Sequence, residues 1–163
     1  MVSFLFNNFA NFSNKECIIH NDKSYTYGEL LKKINEYKKE FNHIKQGEVV
    51  AIVGGYSIEN IALFLTLFAN KNIIVLINSE IQSEIIEKAK IAFVDKIITH
   101  KNNKFNVKIL SNENSNNLIQ NLKQNQNSGL ILFSSGSLGK PKAIVHNLDN
   151  IVQSFEGQKR KRS

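Results

Sequence analysis

A segment rich in serine, glycine and lysine carries the residue types best suited to chemistry. It runs from Ser134 to Lys142, and its nine residues include three serines, two glycines and two lysines directly after an apolar stretch. Glycines let backbone N–H groups approach a ligand, and successive N–H groups in such a loop form an anion-binding concavity. Serine hydroxyls and lysine ammonium groups add further donors. This combination predicts a loop that holds a polyphosphate.

The spacing in this segment differs from that of a Walker A loop, which needs G-x-x-x-x-G-K-[ST] at the start of a helix. Here Gly139-Lys140 is followed by Pro141, and position 134 is serine. Pro141 disfavours a helix at Lys140, and residues 143–145, Ala-Ile-Val, prefer a strand. The segment therefore predicts a strand–loop–strand phosphate clip. A Ser/Gly-rich hairpin without a ligand is the alternative that composition leaves open.

The elements that must position this loop follow from hydrophobic patterning. Apolar runs predict strands over 16–20, 49–53, 73–77, 96–99, 106–110, 129–133 and 143–146. Periodicity and capping residues predict helices over 27–41, from Ser57 to about Ala69, from Ser79 to about Lys90, around 118–123 and over 148–155. Strand and helix alternate from residue 49 to about residue 99. This alternation predicts an α/β fold with a largely parallel sheet and helices on both faces.

The loop resembles the phosphate-loop signature of the adenylate-forming enzymes: acyl- and aryl-CoA synthetases, luciferases and the adenylation domains of nonribosomal peptide synthetases. That signature has the approximate form [ST]-S-G-[ST]-[ST]-G-x-P-K-[GA]-hydrophobic-x-H. The matching positions are Ser134, Ser135, Gly136, Ser137, Gly139, Pro141, Lys142 and His146. Upstream, residues 25–30 are similar to the family's T-Y-x-E-L helix start, and residues 49–59 are similar to its next strand and helix.

The chain also departs from the family pattern. Leu138 stands where the family usually has Thr or Ser, which removes one hydroxyl from the loop. Family members are several-fold longer, and their adenine-binding motif, magnesium-site Thr-Glu pair, ribose-binding Asp and C-terminal lysine would lie beyond residue 163. The resemblance therefore implies that residues 1–158 are an incomplete N-terminal part of an AMP-binding domain, followed by a basic tail at 159–163. It also implies that this fragment alone is inactive.

For the parent enzyme the resemblance implies an acid–thiol ligase. A carboxylic acid attacks the α-phosphate of ATP, with Mg²⁺, to give an acyl-adenylate and pyrophosphate, and CoA or the phosphopantetheine of a carrier protein then takes the acyl group. The resemblance assigns the β- and γ-phosphates of ATP to Ser134, Ser135, Gly136, Ser137, Gly139 and Lys142. Fixed N–H and Lys donors would stabilise charge on the leaving pyrophosphate.

The resemblance assigns no catalytic residue and no metal ligand within the chain. It places His146 towards the acyl pocket, with an ordinary strand-end position as the alternative. The identity of the acid stays open among fatty acids, aryl acids, acetate and amino acids.

Composition excludes several other classes of protein. A chain of 163 residues with 42% hydrophobic and 21% charged residues fits one globular domain. Its longest apolar stretch, 61–69, is too short to span a membrane, and the N-terminal apolar stretch lacks the preceding basic residue of a secretory signal. Cys17, the single cysteine, excludes an internal disulfide and favours the cytoplasm. The four histidines show no metal-ligand spacing.

The basic charge does not predict a nucleic-acid partner. Of the net charge of +7, the last five residues carry +4, which leaves +3 for the rest of the chain. Both arginines, Arg160 and Arg162, lie in that tail, whereas phosphate and guanine recognition favours Arg.

Two alternatives accompany the ligase interpretation. In the first, the chain would be a truncated module that binds nucleotide or a protein partner without catalysis. In the second, its basic tail would bind nucleic acid through counterion release. A fragment cut from a larger sheet should also expose apolar surface that the rest of the domain normally covers, which predicts self-association, for example as a dimer.

Overall fold

The computed structural model describes residues 2–110, 116–134 and 141–159. Within these ranges the helices are α1 (Val2–Asn11), α2 (Tyr27–Glu40), α3 (Ile58–Ala69), α4 (Gln82–Ile91), α5 (Asn117–Gln124) and α6 (Leu148–Lys159). The strands are β1 (Glu16–His20), β2 (Lys23–Thr26), β3 (Val49–Val53), β4 (Ile73–Ile77), β5 (Lys96–Lys101), β6 (Lys104–Ile109), β7 (Gly129–Ser134) and β8 (Lys142–Asn147). None of these helices is both long and apolar enough to cross a bilayer.

One six-stranded sheet organises the chain, in the order β6-β5-β3-β4-β7-β8. The four inner strands are parallel, and the two edge strands, β6 and β8, pair antiparallel with their neighbours. The five residues of β3 are all buried because this strand lies between two others and is covered on both faces. The predicted α/β fold with a largely parallel sheet is therefore confirmed.

Different helices cover the two faces of this sheet. On what we call the α3 face, helices α2, α3 and α6 pack on alternate strand residues such as Val50, Ile52 and Ile74. On the opposite, α4 face, helices α4 and α5 pack on the intervening residues, such as Ala51 and Val75. The β1–β2 hairpin and α1 add to the α3 face. The period-two alternation of a strand thus divides the core into two layers.

Side-chain caps fix the starts of two helices as the sequence predicts. The Thr26 hydroxyl accepts from the Glu29 N–H at 3.2 Å, and the Glu29 carboxylate accepts from the Thr26 N–H at 2.8 Å. This reciprocal capping box satisfies backbone donors that the first turn of α2 leaves open. The Ser57 hydroxyl accepts from the Asn60 N–H in the same way at the start of α3.

Three local features differ from the sequence-based expectations. The stretch Val2–Asn11, for which no element was predicted, is helix α1, and its Phe9 ring lies 5.0 Å from that of Tyr27 on α2. Residues 24 and 25 belong to strand β2 because they pair with β1. Ser79 does not cap α4, since its hydroxyl accepts from the Ile81 N–H and the helix begins only at Gln82.

A buried carboxylate fixes the base of the β7–β8 hairpin. Asp149, in the first turn of α6, is 3% exposed and accepts from the Ser128 N–H and from the Lys71 ammonium, both at 2.7 Å. The Leu148 N–H donates to the Ser128 carbonyl beside it. A buried carboxylate is stable only when its oxygens are matched in this way. These contacts therefore fix the end of the β7–β8 hairpin that lies opposite to its loop.

Candidate functional site at the carboxyl edge of the sheet

The carboxyl ends of the four parallel strands meet at one edge of the sheet. β3, β4 and β7 end there at Val53, Ile77 and Ser134, side by side in the sheet order. The segment that is predicted to hold phosphate follows β7 directly. The fold therefore brings this segment to the edge where parallel α/β sheets generally bind ligands.

Ser134 and Lys142 lie opposite each other at the mouth of the predicted phosphate loop. They are paired residues in the antiparallel β7–β8 ladder, and both side chains are exposed. Side chains of directly opposed residues share one face of a sheet, so the hydroxyl and the ammonium group lie on the same side of the loop. The strands on both sides of the loop confirm the predicted strand-loop-strand arrangement of its flanks.

The other predicted phosphate ligands lie outside the described residues. These are Ser135, Gly136, Ser137 and Gly139, together with the unusual Leu138. Their roles stay predictions, and Ser134 and Lys142 are the described residues that flank them on either side.

His146 lies away from the mouth of the loop. It is half-buried on β8 opposite Leu130, whereas Lys142 begins the strand. Four residues of strand separate Lys142 from His146 by roughly 13 Å. The structure thus brings Ser134 and Lys142 together and places His146 towards the other end of the hairpin. The predicted role of His146 at an acyl pocket stays a prediction.

A crevice of about 560 Å³ opens over the ends of β3, β4 and β7. Its apolar wall consists of Ile52, Ile61, Phe64, Leu76, Leu132 and Phe133. Its rim contains Gly54, Gly55, Tyr56 and Asn78, which follow β3 and β4. We call this space the edge crevice. Leu132 and Phe133 also belong to β7, the strand that leads into the predicted phosphate loop.

The β3–α3 turn shapes the rim of the edge crevice. Gly54 has a φ of 127°, a left-handed conformation that favours glycine, and its N–H donates to the Ile77 carbonyl. The Asn60 side-chain amide donates to the Gly55 carbonyl at 2.8 Å. Its carbonyl oxygen is buried and has no hydrogen-bond partner within the described part of the chain. These contacts hold the turn so that backbone, not side chain, lines this part of the rim.

Among the described residues, one cationic side chain lines the edge crevice. Lys88, on α4, lines it with a side chain that is 21% exposed, and its ammonium lies 5.9 Å from the centre of the Phe133 ring. Its carboxylate neighbour, Glu84, lies 3.9 Å away, which is too long for a hydrogen bond. Sequence reasoning missed Lys88 and Asn60 because neither belongs to a motif. Only the order of the strands shows that they face one space.

The described residues fit a phosphate ligand better than a metal ion. Ser134 and Lys142 supply a hydroxyl and an ammonium group, which are phosphate donors. Among the residues of the described ranges, no cluster of three His, Cys, Asp or Glu side chains could hold a metal.

Comparison with known proteins agrees with this architecture. The N-terminal subdomain of NpsA from Klebsiella oxytoca is 23% identical, with a TM-score of 0.63 over 87% of this chain and 40% of that one. The N-terminal domain of FACL13 from Mycobacterium tuberculosis is 14% identical, with a TM-score of 0.63 over 89% of this chain and 44% of that one. An artificially fused adenylation–PCP di-domain, NpsA–ThdA from Klebsiella oxytoca, is 23% identical, with a TM-score of 0.61 over 88% and 32%.

These TM-scores establish a shared fold, and the chain spans about two fifths of the length of the first of these structures. The sequence comparison with curated proteins finds no match. The family model "AMP-binding enzyme" matches residues 5–163, nearly the whole chain. The α/β fold, the hairpin that carries the phosphate-loop motif and this match agree, and the chain therefore belongs to the AMP-binding enzyme family.

Proposed function

We propose that these residues form the phosphate-binding part of an ATP-dependent, carboxylate-activating ligase. The observation that carries the proposal is the pairing of Ser134 with Lys142 at the carboxyl edge of the sheet, at the mouth of a family-specific loop. In the proposed reaction a carboxylate oxygen attacks the α-phosphorus of ATP. The bond from that phosphorus to the bridging oxygen breaks, and pyrophosphate leaves as the acyl-adenylate forms.

The proposed task of the loop is to bind the leaving pyrophosphate. Ser134 and Lys142 would donate to oxygens of the β- and γ-phosphates, together with Ser135 and Ser137, while Gly136 and Gly139 would let the backbone bend around them. Negative charge builds up on these oxygens as the bond breaks, so donors already in position lower the barrier. Mg²⁺, when bound, would neutralise phosphate charge through ligands from other regions of the protein.

We propose a thioester as the final product, with CoA or a carrier protein as the thiol partner. The NpsA–ThdA fusion couples an adenylation domain to a PCP unit, which supports the carrier-protein form of this proposal. Residues 1–158 would form the N-terminal part of the AMP-binding domain. Since the chain spans 40% of the NpsA subdomain, we expect these 163 residues alone to bind phosphate without turnover. The single cysteine supports our proposal of a cytoplasmic location.

Binding of inorganic pyrophosphate to the 163-residue chain tests the proposal. We expect calorimetry to show saturable binding that Lys142→Ala weakens by about tenfold or more, because a charge-assisted hydrogen bond is lost. Lys108→Ala is the matched control, since Lys108 is an exposed lysine on the opposite edge strand. Equal losses in the two variants would reveal general charge attraction and would contradict a phosphate site at the loop.

Turnover is tested in a protein that carries these residues together with the further regions of the solved relatives. We expect carboxylate-dependent exchange of pyrophosphate into ATP, which Lys142→Ala reduces. Nucleotide binding without exchange for any carboxylate of a broad panel would overturn the ligase and favour a binding module.

A further inference from the structure

Another cavity, of about 420 Å³, opens on the α3 face of the sheet beside the turn between β5 and β6. Helix α2 supplies Lys33, Tyr37 and Glu40, which lie on one helix face because they are four and three residues apart. The other walls come from Glu59 at the start of α3 and from the β5–β6 hairpin. We call this space the hairpin pocket. None of its described lining residues lines the edge crevice, so the two spaces are separate.

The hairpin pocket is lined by a buried tyrosine. Tyr37 is 6% exposed, and its hydroxyl makes no hydrogen bond with any group of the described residues. Burial raises the pKa of this hydroxyl, and the carboxylates of Glu59 and Glu40 raise it further, so the group keeps its proton. Both carboxylates line the pocket, which places the hydroxyl beside this space. A buried hydroxyl without a partner costs free energy, and a ligand that accepts its hydrogen bond removes that cost.

Aromatic rings form one wall of the hairpin pocket. The Phe105 ring lies 5.0 Å from the Tyr37 ring, edge-on, and 4.6 Å from the His100 imidazole. His100 and Phe105 are directly opposed in the β5–β6 ladder, so the strand register holds them together. This wall suits a short aliphatic chain, and aromatic rings also attract ammonium groups.

The hairpin pocket carries charges of both signs. The Lys33 ammonium and the Glu59 carboxylate neutralise each other at 3.2 Å. Glu40 on α2 and Lys104 on β6 also line the pocket, yet neither belongs to an ion pair among the described residues. A simple anion would meet the uncompensated charge of Glu40, and a simple cation would meet that of Lys104. A molecule with one ammonium and one carboxylate group would pair with both.

We propose that the hairpin pocket binds a small zwitterion, whose ammonium group pairs with Glu40 and whose carboxylate pairs with Lys104 and accepts from the Tyr37 hydroxyl. Glu40 and Lys104 lie on different elements and form no ion pair with each other, so a short chain must separate the two charges of the ligand. This is the chemistry of an ω-amino acid. The volume lies within the usual range for small-molecule sites. Since β5 is three strand spacings, roughly 14 Å, from β7, the site is distinct from the phosphate loop.

Three probes of the same chain length test the choice of ligand. 4-Aminobutyrate carries both charges, butyrate only the carboxylate and butylammonium only the ammonium group. In NMR titrations of the 163-residue chain at pH 7, we expect 4-aminobutyrate to shift the amide signals of Tyr37, Asn103 and Lys104 saturably. The singly charged probes should bind at least about fivefold more weakly, because each loses one ionic contact. Equal binding of all three probes, or no saturable shift at these amides, would overturn the proposal.

Two charge variants test the pairing of each end of the ligand. Glu40→Gln should weaken 4-aminobutyrate binding about fivefold without weakening butyrate, and Lys104→Gln should do so without weakening butylammonium. Lys108→Gln is the matched control, since Lys108 is an exposed lysine of the same strand outside the pocket, and it should leave all three affinities unchanged. An equal loss in Lys104→Gln and Lys108→Gln would reveal general charge attraction and would contradict the proposed contact.

Tyr37→Phe tests the hydroxyl separately from the charges. The variant keeps the ring contacts, and its melting temperature should not fall, because the hydroxyl has no partner to lose within the described ranges. We expect its affinity for 4-aminobutyrate to drop about threefold or more. Tyr25→Phe, in the β1–β2 hairpin, removes a hydroxyl elsewhere and should leave the affinity unchanged. Full affinity of the folded Tyr37→Phe variant would overturn the assignment of this hydroxyl to the ligand.

Discussion

The Glu59 carboxylate in the first turn of α3 shows how one residue can balance opposing effects. Burial acts to raise its pKa, but a backbone hydrogen bond and the Lys33 ammonium, 3.2 Å away, outweigh burial and lower the pKa. Lys33 lies on α2, so this ion pair joins two helices of the α3 face. Its side chains are 29% and 22% exposed, and solvent therefore screens part of the attraction.

Because Lys33 lowers the pKa of Glu59, Lys33→Gln should change how the unfolding free energy depends on pH. Since the folded pKa of Glu59 lies below the unfolded value, its stabilisation is complete above the unfolded pKa and is lost as pH falls through the folded pKa. We expect the variant to lose up to about 1 kcal/mol of unfolding free energy at pH 7. The difference from the wild type should vanish at acid pH. Urea denaturation over a pH series measures it.

Lys32→Gln is the control for this prediction, because Lys32 is an exposed neighbour on the same helix. A loss in Lys33→Gln that is the same at every pH would show that the lysine acts through packing of its chain and not through Glu59. NMR titration should also show a higher pKa for the Glu59 carboxyl in Lys33→Gln.

Gly129 sets how closely helix α5 packs on the sheet. At the start of β7, a Cβ atom here would lie 2.8 Å from Leu122 Cδ1 and 2.9 Å from Ile73 Cγ2. Leu122 belongs to α5 and Ile73 to β4, and both side chains are buried. Glycine is therefore required by the close approach of a helix and a neighbouring strand.

Gly129→Ala should destabilise the fold by about 1–3 kcal/mol, because the added methyl group overpacks a closed core. Chemical denaturation measures the change in unfolding free energy. Gly55→Ala is the matched control, since its added Cβ meets no atom within 4 Å, and it should be neutral or slightly stabilising. Equal stabilities of the two variants would contradict the packing argument.

Most of the helices and strands could be predicted from the sequence, because residues close together in the chain determine them. The fully apolar β3 and the capping box of α2 allow no good alternative, and both were predicted with nearly correct bounds. Helix α1 was not predicted because it contains no charged residue and no recognisable cap; the helix packs on Tyr27 of α2. Ser79 failed as a cap because its side chain bonds within the preceding turn and with Glu84.

Some residues of the candidate site could be predicted from the sequence, and others could not. Ser134 and Lys142 were predicted because their motif is contiguous, and their opposition in the ladder follows from the two strands. Lys88 and Asn60 could not be predicted, since their proximity to Leu132 depends on β4 lying between β3 and β7. The spacing of residues along the sequence does not show in which order the strands lie in the sheet.

On the scale of the whole molecule, the two edge strands of the sheet differ in how well they are protected against pairing with another chain. Edge strand β6 carries Lys104 and Lys108, which discourage pairing with another chain. Edge strand β8 carries Ile144, 44% exposed, opposite Leu132, 37% exposed. Apart from Lys142 at its start, β8 has no lysine or acidic residue. The β8 edge is therefore the part of the described sheet best suited to take up a further strand.

We expect the 163-residue chain to self-associate through this edge. Ile144→Lys should shift the molecule towards the monomer, because a charge would have to be buried for the edge to pair. Light scattering coupled to size exclusion, over a range of concentrations, measures the change. Leu118→Lys removes an apolar side chain that is 60% exposed on α5 and is the matched control. A monomer at high concentration in the unaltered chain would contradict the prediction.

The pairing of β7 with β4 also has a consequence for the order of assembly during translation. Strands β3, β4 and β5 lie within residues 49–101, whereas Ile73 of β4 pairs with Gly129 of β7. A nascent polypeptide is released from its amino end, so the three central strands can pair while β7 is still unsynthesised. Strand β7, which leads into the proposed phosphate loop, then pairs with strands that are already in place. The central scaffold would thus be complete before the loop that we propose to bind phosphate is synthesised.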